Sequence, residues 1–149
     1  MPQFATDDNL KEYEPQIGDF GIQSFKELHE KTYDDIIRLL NIDWFPKSEY
    51  GKFDLKVIGT AQKLSPSMLT ASQFTRAACY HVLAYYVYSR LATFDPAGDA
   101  FTEKMKYYKE KFREEFDLIL RSGVEYDIDS SGTVSDSERQ PFHFNRLVR

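Results

Sequence analysis

The sequence predicts a mainly α-helical protein: a small helical bundle with extended N- and C-terminal arms and an EF-hand-like acidic loop near the C-terminus. Three observations predict it. Apolar residues recur at three- and four-residue spacing in two long stretches, and a third stretch is apolar almost all round. Strand-like alternation is confined to one short, imperfect run. The run DIDSSGTVSDSE at 127–138 has the ligand spacing of a calcium loop. A chain of 149 residues fits one domain. It divides into an arm at 1–23, a helical core at 24–122, and an acidic loop with a tail at 123–149.

The arm is mixed in character. Asp7, Asp8, Pro15, Gly18 and Gly21 interrupt any long period, so at most one short turn is expected there. The first helix spans Ser24 to Asn41. Phe25, Leu28, Thr32, Ile36 and Leu39 form its stripe, and Ser24 with Glu27 reads as a capping box. It stops before Pro46, which pushes Phe45 out of the helical region, leaving Trp44 and Phe45 just past its end. Residues 46–69 read as a loop. A short strand is an option at Phe53, Leu55, Val57 and Ile58, and Pro66 closes the stretch.

Thr70 and Gln73 suggest a second capping box, opening a helix that runs to Leu91. Ala77, Ala78, Val82, Leu83, Ala84, Tyr85, Tyr86, Val87 and Tyr88 make it apolar on every side. Such a helix is buried in a core or an interface. A three-helix bundle does not surround one helix completely, so part of this surface is expected to meet another chain. The third helix runs from about Asp99 to Ser122, with Phe101, Met105, Tyr108, Phe112, Phe116 and Ile119 on one face. Lys106–Glu110 and Lys111–Glu115 mark the solvated face. Gly123 falls where a left-handed C′ residue belongs.

Composition excludes several functions. The net charge of −5 argues against general nucleic-acid binding, which needs a basic surface. One cysteine excludes a disulfide framework. No run is long and apolar enough to span a membrane, and MPQFATDDNL lacks the pattern of a signal peptide. Cys79 and His81 lie on nearly opposite helix faces, so they are not a nucleophile–base pair, and His81 reads as a structural histidine. Asp34 and Asp35 diverge by about 100° and do not share a substrate. No phosphate loop or nucleophile elbow is present. The expectation is a non-enzyme.

The acidic run is the one motif with defined chemistry. A calcium loop needs oxygen ligands at positions 1, 3, 5, 7, 9 and 12, with Gly at 6 for the turn. Asp127, Asp129, Ser131, the Thr133 carbonyl, Ser135 (directly or through water) and Glu138 stand at those positions, with Gly132 at the turn. A structural Ca2+ is therefore the expected cofactor. A metal-free turn held by local Asp and Ser bonds is the alternative. Gly123 and Pro141 leave little room for flanking helices, and no second loop exists to pair with. An opening, groove-exposing sensor is accordingly not expected.

Three stretches together resemble head–tail connector, or neck, proteins of tailed bacteriophages. They are DDIIRLLNIDWF (34–45), RAACYHVLAYYVYSRLATF (76–94), and MKYYKEKFREEFDLILRSGVEYDIDSSGTVSDSE (105–138), closing in FNRLVR. The resemblance implies a helical adaptor in a homo-oligomeric ring between portal protein and tail proteins. Its arms and C-termini would reach neighbouring subunits, and DNA would pass through the channel without sequence-specific binding. It implies a virion location after synthesis in the host cytoplasm. A ring closes through heterologous contacts. Negative charge is compatible with a channel that does not grip phosphate.

Aromatic residues make up 15% of the chain, from 12 Phe, 10 Tyr and one Trp. The third helix places some of them at core spacing. The remainder lies at Trp44–Phe45, on the second helix and in the tail QPFHFNRLVR. The expectation is that Tyr85, Tyr86 or Tyr88, and Phe142 or Phe144, are partly exposed in the isolated chain. The tail is equally suited to docking on a neighbour or on its own domain.

Overall fold

A computed structural model describes residues 3–22, 24–45, 64, 66–92, 99–126 and 139–140. The fold among them is mainly helical. In chain order come α1 (Asp7–Tyr13), a 3-10 turn (Ile17–Phe20), α2 (Lys26–Asp43), a second 3-10 turn (Pro66–Met68) and α3 (Ala71–His81). A π-helical segment (Val82–Val87) follows, then α4 (Tyr88–Leu91), α5 (Ala100–Ser122), β1 (Val124–Glu125) and β2 (Arg139–Gln140). The possible strand at 53–58 and the tail phenylalanines lie outside the described residues.

Residues 71–91 form one continuous helical rod at the centre of the bundle. α5 packs along α3, the π segment and α4, while α2 covers α3 and the π segment and α1 covers α3. Phe74, Ala77, Ala78, Cys79, Val82, Leu83, Ala84, Val87 and Tyr88 are all buried. This corrects the premise that a bundle of this size does not surround one helix. The missing cover comes from the N-terminal segment. Where the sequence predicts an arm with one short turn, residues 3–22 hold α1 and a 3-10 turn, and Phe4, Leu10 and Ile17 are buried.

Aromatic rings carry much of that docking. Phe4 packs on Tyr33 and Phe74 at centroid distances of 4.6 and 5.1 Å. Tyr13 meets Tyr80 edge-on at 5.2 Å, and Phe20 meets Tyr88 and Phe101 at 5.8 and 5.6 Å. These separations fall in the range where aromatic pairs attract beyond simple burial. Glu14, just past α1, accepts from Tyr108 Oη at 2.9 Å and pairs with Lys104 Nζ at 3.2 Å. The segment is thereby tied to α5 as well as to the rod.

The π segment explains which rod residues face water. One outward row is Ser72, Arg76, Tyr80, Tyr85 and Ser89, of which Tyr80 and Ser89 are half-buried, and Arg90 beside Ser89 is exposed. Successive steps are four, four, five and four. The step of five falls where the widened turn inserts one residue. A regular helix would turn position 84 outward instead. Of the three tyrosines expected at the surface, Tyr85 is 40% exposed, Tyr86 is half-buried and Tyr88 is 0% exposed.

The caps differ from the sequence pattern. Ser24 and Glu27 do not form the expected box: α2 starts at Lys26 behind Phe25, and Ser24 Oγ accepts only from the Lys26 amide, at 3.3 Å. Thr70 is the N-cap of α3, but its side chain makes no capping bond. Gln73 instead spans to the far end of α5, donating to the Gly123 carbonyl at 2.9 Å and accepting from the Glu125 amide at 3.0 Å. The reciprocal box that does form is Thr6 with Asn9. Asp99 caps α5 through the Thr102 amide at 2.8 Å. Gly123, at φ 99, carries the chain out of α5 in a conformation that favours glycine.

Trp44 and Phe45 also find cover. Both are buried against Tyr126, with ring centroids at 5.6 and 6.0 Å. Tyr126 follows β1, which runs antiparallel to β2 with Val124 opposite Gln140 and Glu125 opposite Arg139. That pairing brackets residues 126–138.

Candidate functional site

Most of the polar side chains on the rod and its neighbours serve the fold. His81 is buried, and its Nδ1 lies 3.1 Å from Thr32 Oγ1. Its Nε2 is 3.8 Å from Asp35 Oδ2, and Tyr86 Oη donates a short bond to the same oxygen. Burial pushes the imidazole down to about 4, against the opposing pull of Asp35, so His81 is neutral at pH 7. Burial, then the bond to Asp35, pushes the Tyr86 phenol up. Asp34, one residue before Asp35, is exposed, so the two carboxylates point apart as helix geometry requires.

Sequence reasoning missed this cluster as a unit. Thr32 and Asp35 share a face of α2 at three-residue spacing, which is a readable signal. The five-residue step from His81 to Tyr86 is not, because it brings the two together only across a widened turn. Cys79 is buried, and its thiol is pushed up to about 12 by burial and then by Glu12, which leaves it protonated and unreactive at neutral pH. His29, buried on α2, meets Asp7 Oδ1 through Nε2 at 2.9 Å, which fastens α1 to α2.

The larger surface feature is an open groove of about 660 Å3 between α2 and α5. Leu39, Tyr85, Phe112, Phe116 and Leu120 give it apolar walls. Asp43, Lys109, Arg113, Glu114 and Asp117 make the rim. His81 stacks on Tyr85 at 4.5 Å and meets Phe112 edge-on at 4.8 Å, so the polar cluster backs the groove wall. Lys109 Nζ sits over the Tyr85 ring at 5.3 Å, and Asp117 pairs with Arg121 at 3.0 Å. Beside the groove, Tyr107, Lys111, Glu114 and Leu118 form an outward stripe on α5, with Lys111 reaching both Tyr107 and Glu114. Tyr107 is 53% exposed and Leu118 56%, and Ile42 on α2 is 60% exposed. Large apolar groups grouped at a surface mark binding faces more often than isolated ones do.

The expected calcium ligands Asp127, Asp129, Ser131, Thr133, Ser135 and Glu138 lie outside the described residues. Among the described residues, no group of three or more His, Cys, Asp or Glu side chains could hold a metal ion. No helix among them is long and apolar enough to cross a membrane. The chain matches no protein-family model, no curated protein and no solved structure.

Proposed function

We propose that this chain is a virion structural protein, a head–tail adaptor that forms a ring between portal and tail and continues the DNA channel. Its role is mechanical, and no residue is assigned a bond-making step. The observation that carries the reading is that Ile42 on α2 and Tyr107 and Leu118 on α5 keep large apolar side chains in water. A subunit that packs side by side in a ring needs such a face. The resemblance of 34–45, 76–94 and 105–138 to phage neck proteins supplies the architecture. The rod carries no part of this reading, since the chain covers most of the rod itself.

The test is assembly. Light scattering of the purified protein, alone and mixed with a portal protein, should show a closed oligomer, and proteomics of virions should detect the chain. A monomer under both conditions at high concentration, together with absence from virions, would remove the reading.

A second reading has its own support. Pairing of Val124–Glu125 with Arg139–Gln140 brings together the two ends of the 127–138 run. Ends held close lower the entropy a ligand must overcome to close the loop. We infer a structural calcium clip there, with Asp127, Asp129, Ser131, the Thr133 carbonyl, Ser135 and Glu138 as oxygen donors. Calcium that binds only the folded chain adds about 2.7 kcal/mol at a hundredfold excess over Kd. Melting in calcium against chelator should therefore differ, and Glu138→Gln should abolish the difference. An unchanged midpoint for the unsubstituted chain would end the calcium reading.

A further inference from the structure

We propose that residues 141–149 of this chain occupy the groove between α2 and α5 of the same molecule. Three observations converge on that occupant. The first is position. The described chain ends at Gln140, which pairs with Val124 just beyond the C-terminal end of α5. Leu120, two residues before that end, lines the near mouth of the groove, and Phe116 and Phe112 continue it along the helix.

The second is reach. Nine residues in extended form cover about 30 Å. The groove follows α5 from Lys109 to Leu120, a length of about 16 Å at the helical rise. Nine extended residues are therefore longer than the groove.

The third is chemistry. PFHFNRLVR offers Phe142, Phe144 and Leu147 for apolar walls, with Arg146 and Arg149 between and after them. On the rim Glu114 and Asp117 pair with Lys111 and Arg121, which leaves Asp43 as the carboxylate that can receive an arginine. Apolar side chains entering the cleft, with one arginine left at Asp43 on the rim, satisfy both parts of the segment. A covalently attached segment also binds at high effective concentration, which favours the same molecule over a second copy.

Paramagnetic broadening in the full chain tests this. Arg149→Cys carries a nitroxide, while Cys79, buried in the core, stays unlabelled. The amides of Tyr85, Lys109, Arg113 and Asp117 should lose intensity when the nitroxide is oxidised. The loss should persist when the isotope-labelled, spin-labelled chain is diluted into excess unlabelled protein. Phe142→Ser combined with Phe144→Ser should abolish it. Loss seen only when spin-labelled chains are mixed with separate isotope-labelled chains would assign the groove to a second copy and overturn the proposal. Absence of loss in both samples would overturn it too, as would loss that survives removal of both rings. None of these outcomes depends on ring assembly, so the adaptor reading and the groove assignment fail separately.

Discussion

The rod at 71–91 and the helix α5 make opposite uses of apolar residues. α5 is amphipathic. Met105, Tyr108, Phe112, Phe116 and Ile119 face inward, while Tyr107 and Leu118 are the large apolar side chains left outside. The rod is apolar on nearly all sides, yet its one large exposed apolar residue is Tyr85. The difference lies in what surrounds each helix. α5 borders solvent and needs one good face. The rod is enclosed by α5, by α2 and by the segment carrying α1. An apolar helix therefore does not by itself imply a partner chain, because a short N-terminal segment carrying Phe4, Leu10, Tyr13, Ile17 and Phe20 can complete the shell.

The comparison breaks most visibly if that segment is weakened. Leu10 is 0% exposed and sits where α1 covers α3. Leu10→Ala should cost about 2–5 kcal/mol in denaturant unfolding, as for other buried leucines. A loss within about 0.5 kcal/mol would mean that the segment adds little and that the rod is effectively uncovered.

The next effect is pH dependence from His81. Burial holds its imidazole at about 4, below the ordinary histidine value of 6.5. Between those values the unfolded chain binds a proton that the folded chain does not, so stability falls as pH drops from about 6.5 towards 4. The drop attributable to this group is about 3 kcal/mol at most. Urea unfolding at neutral pH and near pH 4.5 measures it, and His81→Gln should flatten the part of the slope that His81 causes. An identical slope in the variant would show that other groups govern acid sensitivity.

A smaller effect should come from Gln73. Gln73→Ala removes a donor to the Gly123 carbonyl and an acceptor for the Glu125 amide. Losing both bonds, with Gly123 buried and Glu125 half-buried, should cost about 1–2 kcal/mol. Hydrogen exchange at the Glu125 amide should rise in step, and unchanged exchange would show that water replaces the side chain freely.

The smallest effect should be at the outer face of α5. Leu118→Ala should shift unfolding by no more than about 0.5 kcal/mol, because Leu118 is 56% exposed. If the outer face serves assembly, the same substitution should lower the oligomer fraction seen by light scattering. A large stability loss would place Leu118 in the core and end its use as an assembly contact.

Much of the fold was legible residue by residue. The stripe from Phe101 to Ile119 defined α5 to within one residue at its start, and Asp99 and Gly123 delimited it. Ile36 and Leu28 likewise announced α2, though its boundaries shifted two residues later because Phe25 rather than Ser24 precedes the first turn. The arm was not legible. Asp7, Asp8 and Pro15 disguise it as loop, and its burial depends on Phe4 meeting Tyr33 and Phe74, which are distant in sequence. The groove was equally hidden, since Leu39, Tyr85 and Phe112 come from three separate segments.

Helix identity in this chain follows from local rules. Spacing of three and four, a capping aspartate and a C-terminal glycine act over a few residues, and periodicity alone reads them. The position of the π turn, the docking of the N-terminal segment and the groove beside Tyr85 depend on contacts between residues far apart in the chain. Those contacts exist only once the helices have packed. Most of the rod's apolar surface therefore lies inside this chain, with Tyr85 left at its edge.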